Sequence, residues 1–129
     1  MGQKYLLDSN TIIDYTSNYL QPLGNKIIDE IINDHFIISI IVKIEVLGFN
    51  GNSDSMLRLE RFLDFAQVIM LSEAIAHKTI ELRKKYRKLG LGDAIIAATA
   101  LVNNLTVITR NLKDFQGIEN IKAISPYEM

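Results

Sequence analysis

Residues 36–49 read FIISIIVKIEVLGF. Ten of these fourteen residues are large and apolar, and Glu45 is the only carboxylate among them. An ionised carboxylate left unpaired in an apolar interior is very costly. Glu45 must therefore reach water, carry a proton, meet a cation or bind a metal, and the choice turns on what the stretch folds into. IVKIEV alternates apolar and polar residues, as a half-buried strand does, and Lys43 and Glu45 would then share a wet face. The whole stretch is long for one strand, however, and Ser39 offers a helix cap in its middle. In a helix over 40–48, Lys43 and Glu45 point about 200° apart, at ~100° per residue, so one of them faces a groove. Periodicity by itself favours a strand over 41–46.

Outward from this stretch the pattern is one of strands alternating with helices. Tyr5-Leu6-Leu7 is a short apolar run ending at Asp8, and Phe36 to Ile38, Val68 to Met70, Leu105 to Ile108 and Ile121 to Ile124 read as further strands. Ile27, Ile28, Ile31 and Ile32 recur at helical spacing after Pro22, a good first helical residue. Residues 54–65 suit an amphipathic helix, and NGNSDS at 50–55 reads as a flexible loop. In 73–89, Ile75, Thr79, Leu82, Tyr86 and Leu89 form one stripe, with Ser72 as cap and Gly90 as stop. Residues 93–103 are alanine-rich and apolar nearly all round, hence a buried helix. The alternation predicts an α/β domain with a mainly parallel sheet, in which sites form at the carboxyl ends of strands.

The chain has 129 residues, 48% of them hydrophobic, and no cysteine. That is the size of one domain with a real core, read as spanning 1–129, and it excludes disulfides and thiolate metal sites. No apolar run approaches the ~20 residues of a membrane span. The first ten residues carry neither a secretory signal nor, with Leu6 in place of Ser or Thr, a myristoylation pattern. The expected location is therefore the cytoplasm. Net charge is −1, so any attraction to nucleic acid must come from a local patch. Arg83, Lys84, Lys85, Arg87 and Lys88 supply one within six residues, and Arg110 is a further candidate.

Asp8 follows the first strand, Asp93 opens the alanine-rich helix, and Asp114 stands in TRNLKDF a few residues past the fourth strand. Each alone has an ordinary reading as an Asx-turn, an N-cap or a solvated loop residue. His35 and His77 fit no metal-ligand spacing and read as a loop residue and a solvated helix residue. Neither a G-x-S-x-G elbow nor a Walker A or dinucleotide glycine pattern is present.

Four blocks together resemble the PIN-domain ribonucleases of the VapC toxin type: YLLDSN, ISIIVKIEVLGF, GDAIIAATALVNNLTVITRN and LKDF. The resemblance spans nearly the whole chain. It implies a parallel core of about five strands flanked by helices, with Glu45 on a helix against the strand reading above. It makes Asp8, Glu45, Asp93 and Asp114 the metal-binding acids, supported by Ser9, Asn10, Thr109 and Asn111. Ser9 keeps the hydroxyl of a commoner Thr, and Asp14 is expected to play a surface role. Clustered carboxylates repel unless a cation neutralises them or some are protonated, and an all-oxygen donor set suits Mg²⁺ or Mn²⁺. Such an ion can hold a phosphodiester oxygen and activate water. The implied activity is hydrolysis of RNA, with Asp8, Asp93 and Asp114 as direct ligands; Glu45 would bind metal through water or act as base. The resemblance also implies a small antitoxin partner whose C-terminal segment crosses the groove and offers an arginine to the acids. It implies a homodimer too, for which Ile12, Ile13, Tyr15 or Leu20 would be contacts. Two rivals remain: a PIN fold used as a binding module without catalysis, and a receiver domain, which lacks its second acid after strand one here.

Overall fold

The computed structural model describes residues 2–128, without the side chain of Glu128. Five short strands alternate with seven α-helices: β1 (Tyr5–Leu7), α1 (Ser9–Thr16), α2 (Pro22–Asp34), β2 (Ile37–Ser39), α3 (Ile40–Leu47), α4 (Ser53–Leu63), β3 (Gln67–Ile69), α5 (Glu73–Lys85), α6 (Leu91–Asn103), β4 (Thr106–Ile108), α7 (Leu112–Gln116) and β5 (Lys122–Ile124). A 3-10 turn, Pro126–Glu128, follows. Every strand pair is parallel, as βαβ crossovers require. The hydrogen-bonded central sheet has three strands, in the order β1-β4-β5, while β2 and β3 form a second ladder. The expected five strands are thus present but not in one continuous ladder. β2 packs beside β1, giving a spatial order of 3-2-1-4-5. The chain turns one way from β1 to β2 and the other way to β4, so the switch point lies at β1 and β4. β3 sits at the outer edge, away from the central place it holds in a receiver domain.

The stretch 40–47 is a helix, which corrects the strand reading of 41–46. Two physical reasons decide it. Ser39 ends β2 and turns its hydroxyl back to accept from the Ile41 N–H at 3.2 Å. The buried residues are Val42 and Val46, one helical turn apart, while Ile44, which a strand would bury, is 58% exposed. Helix α5 stops at Tyr86, whose backbone leaves the helical region, four residues before the expected stop. Gly90 instead caps α6, so Asp93 is the third residue of that helix and not its cap. The loop before α4 is also shorter than expected, because the Asn52 side chain caps α4 by accepting from the Asp54 and Ser55 N–H groups.

The alanine run has a packing reason. Ala94 to Ala100 are all buried, and α6 lies along α5 with small side chains between them. The two hydroxyls inside this layer are satisfied by their own helices, Thr79 to the Ile75 carbonyl and Thr99 to the Ile95 carbonyl, each at 2.7 Å. Asn104 closes α6 in the left-handed conformation that asparagine tolerates. At the far end of the described residues, the 3-10 turn rests on α2 at Gly24, where a Cβ would clash with the Pro126 carbonyl oxygen. Ile12 and Leu20, expected as dimer contacts, belong to the core, and Ile13 and Tyr15 are half-buried against it. Among the described residues no helix is long and apolar enough to cross a membrane.

Ser39→Ala removes the cap that turns β2 into α3. It is expected to cost about 1 kcal/mol, or roughly 3–5 °C in Tm for a domain of this size. Thermal unfolding followed by circular dichroism checks it, and an unchanged Tm would mean that packing of Val42 and Val46 alone sets the helix start.

Candidate active site

Residues from four separate elements meet at the carboxyl edge of β1 and β4. Asp8 directly follows β1, and its backbone N–H still donates to the Ile108 carbonyl of β4 at 3.1 Å. Its side chain is buried and caps α1, one oxygen accepting from the Thr11 N–H at 2.9 Å. The capping and site readings of Asp8 are therefore not alternatives: the cap aims the carboxylate. Asp8, Ser9, Asn10, Glu45, Asp93 and Asn111 line one cavity of about 250 Å³, floored by Ile13 and Ile96. Asp114, on α7, lines the adjoining cavity together with Asp93.

Glu45 is exposed on α3, which answers the cost of placing an acid in an apolar stretch: the helix turns it out of the core. Its two oxygens are held differently. Ser9 donates its hydroxyl to Oε1 at 2.6 Å. Oε2 lies 2.9 Å from where a Cβ on Gly92 would stand. Gly92 thus serves as a slot for the Glu45 carboxylate. Thr109 is fully buried, lowers the Asp8 carboxyl, and its hydroxyl accepts from the Asn111 N–H at 2.9 Å.

The acids act on one another electrically. Burial raises the Asp8 carboxyl above its ordinary value, against hydrogen bonds from Thr109 and Thr11 and the nearby charge of Arg110. Asp93 is also raised, first by burial and then by the charges of Asp114, Asp8 and Glu45, in that order. Asp93 is therefore within electrostatic reach of the other three acids. Among the described residues no three of the four stand placed to hold one ion. The donor chemistry fits a hard divalent cation: the cleft offers only carboxylate, hydroxyl and amide groups, and Asp93 carries an excess of negative charge around it.

The predicted basic residues divide. Arg87 and Lys88 line the cavity that holds Asp93 and Asp114. Lys85 pairs with Glu119 at 2.7 Å, and Arg83 and Lys84 are exposed on α5 outside the cavity. Arg110 donates to Asp14 at 3.2 Å. Asp14 is 7% exposed and also accepts from the Tyr127 hydroxyl, which corrects its expected surface role. This network ties α1, the end of β4 and the C-terminal turn together behind Asp8. The periodicity of α1 carried no sign of it, because the partners lie 96 and 113 residues away. Gly92, 47 positions from Glu45, was equally hidden.

The fold and the cleft together define a class: small α/β proteins with an acid cluster at the switch point of a parallel sheet. The sequence model of the PIN domain matches residues 5–120, and the chain belongs to that family. Among curated proteins it is similar to ribonuclease VapC1 of Haemophilus influenzae strain R2866, 28% identical over 126 residues, covering 92% of this chain and 94% of that protein. Among solved structures it is similar to a toxin–antitoxin complex from Klebsiella pneumoniae, with a TM-score of 0.76, 33% identity and coverage of 98% of this chain and 100% of that one. DNA-bound VapBC from Salmonella typhimurium superposes with a TM-score of 0.81 at 25% identity, covering 97% and 99%.

Two outcomes follow from this geometry. Gly92→Ala leaves Tm within a degree or so, because a carboxylate tip can retreat, but it displaces Glu45 and weakens Mn²⁺ binding by roughly tenfold. Calorimetric titration with Mn²⁺ reads this, and wild-type affinity would show that Glu45 takes no part in holding the ion. Asp8 and Asp93 have raised carboxyls, so the native state holds their protons more tightly than the unfolded chain. Stability without divalent ions then falls as pH rises from the ordinary Asp value through the raised ones. Asp93→Asn is expected to raise Tm at pH 7 in EDTA and to flatten that pH profile; a lower Tm than wild type would contradict the repulsion.

Proposed function

We propose that this protein is a divalent-metal-dependent endoribonuclease, the toxin of a type II toxin–antitoxin pair, with residues 1–129 as its catalytic domain. The observation that carries the reading is the meeting of Asp8, Glu45, Asp93 and Asp114, from four elements, around one cleft. The names of its relatives point the same way: a ribonuclease, and toxin–antitoxin complexes. The complete acid set argues against the non-catalytic reading, and a cleavage assay separates the two.

Asp8, Asp93 and Asp114 would hold Mg²⁺ or Mn²⁺, and Glu45 would complete the site. When bound, the cation supplies a Lewis acid for a phosphodiester oxygen and lowers the pKa of water. The chain's own groups do the rest. Thr11 and Thr109 fix the Asp8 carboxylate. Ser9 orients Glu45, leaving Oε2 as the oxygen that can accept a proton from attacking water or bind the cation through water. Asn10 and Asn111 offer amide groups at the cleft wall. Of the basic residues, Arg87 and Lys88 line the cavity and are the candidate contacts to RNA, whereas Arg83 and Lys84 lie outside it and Lys85 and Arg110 are paired with Glu119 and Asp14. The partner is a cognate antitoxin protein. A homodimer would use apolar side chains that the fold leaves open, such as Ile44, Phe49, Phe65 and Met70.

Cleavage of single-stranded RNA in Mg²⁺ or Mn²⁺ tests the assignment. Asp8→Asn and Asp93→Asn are each expected to lose at least roughly a hundredfold in rate, more than loss of an outer hydrogen bond to a metal ligand costs. Wild-type rates in both variants would remove the metal-site reading.

A further inference from the structure

Beyond Asp93 the acid cleft opens into a second cavity of about 420 Å³, within the ~300–1,000 Å³ range of ligand sites. Asp93 is the wall the two cavities share. The second is lined on one side by Tyr86, Arg87 and Lys88, which follow α5, and on the other by Lys113 of α7. Its three cations exceed its two carboxylates, Asp93 and Asp114, in a chain whose net charge is −1. Among the described residues, Arg87, Lys88 and Lys113 have no ion-pair partner, whereas their neighbours Lys85 and Arg110 are taken up by Glu119 and Asp14. Tyr86 is held at the wall, its hydroxyl accepting from the Glu119 N–H at 2.9 Å, with the Lys85 ammonium 5.6 Å from its ring centre.

We propose that this cavity is a nucleotide subsite for the strand whose scissile phosphate lies at the acids: Arg87, Lys88 and Lys113 take the adjacent phosphate, and Tyr86 presents its ring to the base. Unpaired cations beside a fixed aromatic ring are the two elements with which single-stranded nucleic acid is held without sequence choice. The subsite rests on the nuclease reading of the neighbouring acids for its position, but its binding is measurable apart from catalysis.

Fluorescence anisotropy of a labelled single-stranded RNA oligonucleotide, in EDTA and across a series of KCl concentrations, tests it. Arg87→Ala/Lys88→Ala/Lys113→Ala is expected to weaken binding at least ~30-fold at low salt and to reduce the salt slope by about 0.7, the value for one neutralised phosphate on a single strand. Arg83→Ala/Lys84→Ala, exposed on α5 outside the cavity, leaves affinity within about twofold by the same counting. Tyr86→Leu loses about tenfold with no change of slope, and Tyr86→Phe, which keeps the ring but not the bond from the Glu119 N–H, loses about threefold or less. Wild-type affinity and slope in the triple variant overturn the subsite even if the protein cleaves RNA, as does a wild type that binds no RNA at low salt. An oligoglutamate peptide of matched charge that binds as tightly, with the same loss in the triple variant, also overturns it, because the cavity then selects acidic protein. Binding that behaves as expected in a protein that cleaves nothing with Mg²⁺ or Mn²⁺ supports the subsite and removes the nuclease reading instead.

Discussion

Negative charges gathered in one place must be held there by something stronger than their repulsion. Two unit charges ~8 Å apart repel by about 2 kcal/mol at an effective dielectric of ~20, and this cleft gathers four. The fold answers with a separate anchor for each. Asp8 is fastened by a backbone N–H at the start of α1, Glu45 by a serine hydroxyl and a glycine slot, and Asp93 by an alanine helix buried along its length. Asp114 rides on a five-residue helix sealed by the buried Phe115. None of these anchors is a cation, so they hold the charges in place without neutralising them. The repulsion stays available to be relieved by a cation, which is how a fold can bind metal without a preformed cage.

The cations around this edge are arranged with equal economy. Arg110, nearest Asp8, is tied to Asp14 and lowers the Asp8 carboxyl only as the smallest of several influences. Lys85 is tied to Glu119 on the far side of Tyr86. The remaining charges, Arg87, Lys88 and Lys113, face the outer cavity. Charge is thus sorted along the cleft, negative at the switch point and positive beyond it, although the chain as a whole is almost neutral.

Local chemistry made most of this legible. Short apolar runs, Pro22 and the Ser72 cap each act within a few residues, and the elements they announce are present. Asp8 stood out because it follows β1 and Glu45 because it is the lone acid of an apolar stretch, whereas the four as a set came from the family resemblance. The misreading of 41–46 has a specific cause: Ile44 completes an alternating pattern yet lies exposed, while the true core pair, Val42 and Val46, is also compatible with alternation. Asp14, the Gly92 slot and the lining role of Lys113 depend on partners tens of residues away. No local pattern encodes such a pair. The early end of α5 at Tyr86 was similarly hidden, since its ring is fixed by Glu119 from beyond α7.

The C-terminal turn has a bearing on how the molecule is made. Gly24 receives Pro126, Asp14 receives Tyr127, and β5 supplies the last rung beside β4. Every acid of the cleft is upstream of all three. During translation the carboxylates therefore emerge before the segment that buttresses them. A ribosome stalled after Asp114 holds a polypeptide with all four charges and an unfinished scaffold. The edge is complete only once residues 122–127 have been made, so a fragment released before them carries the acids without their framework.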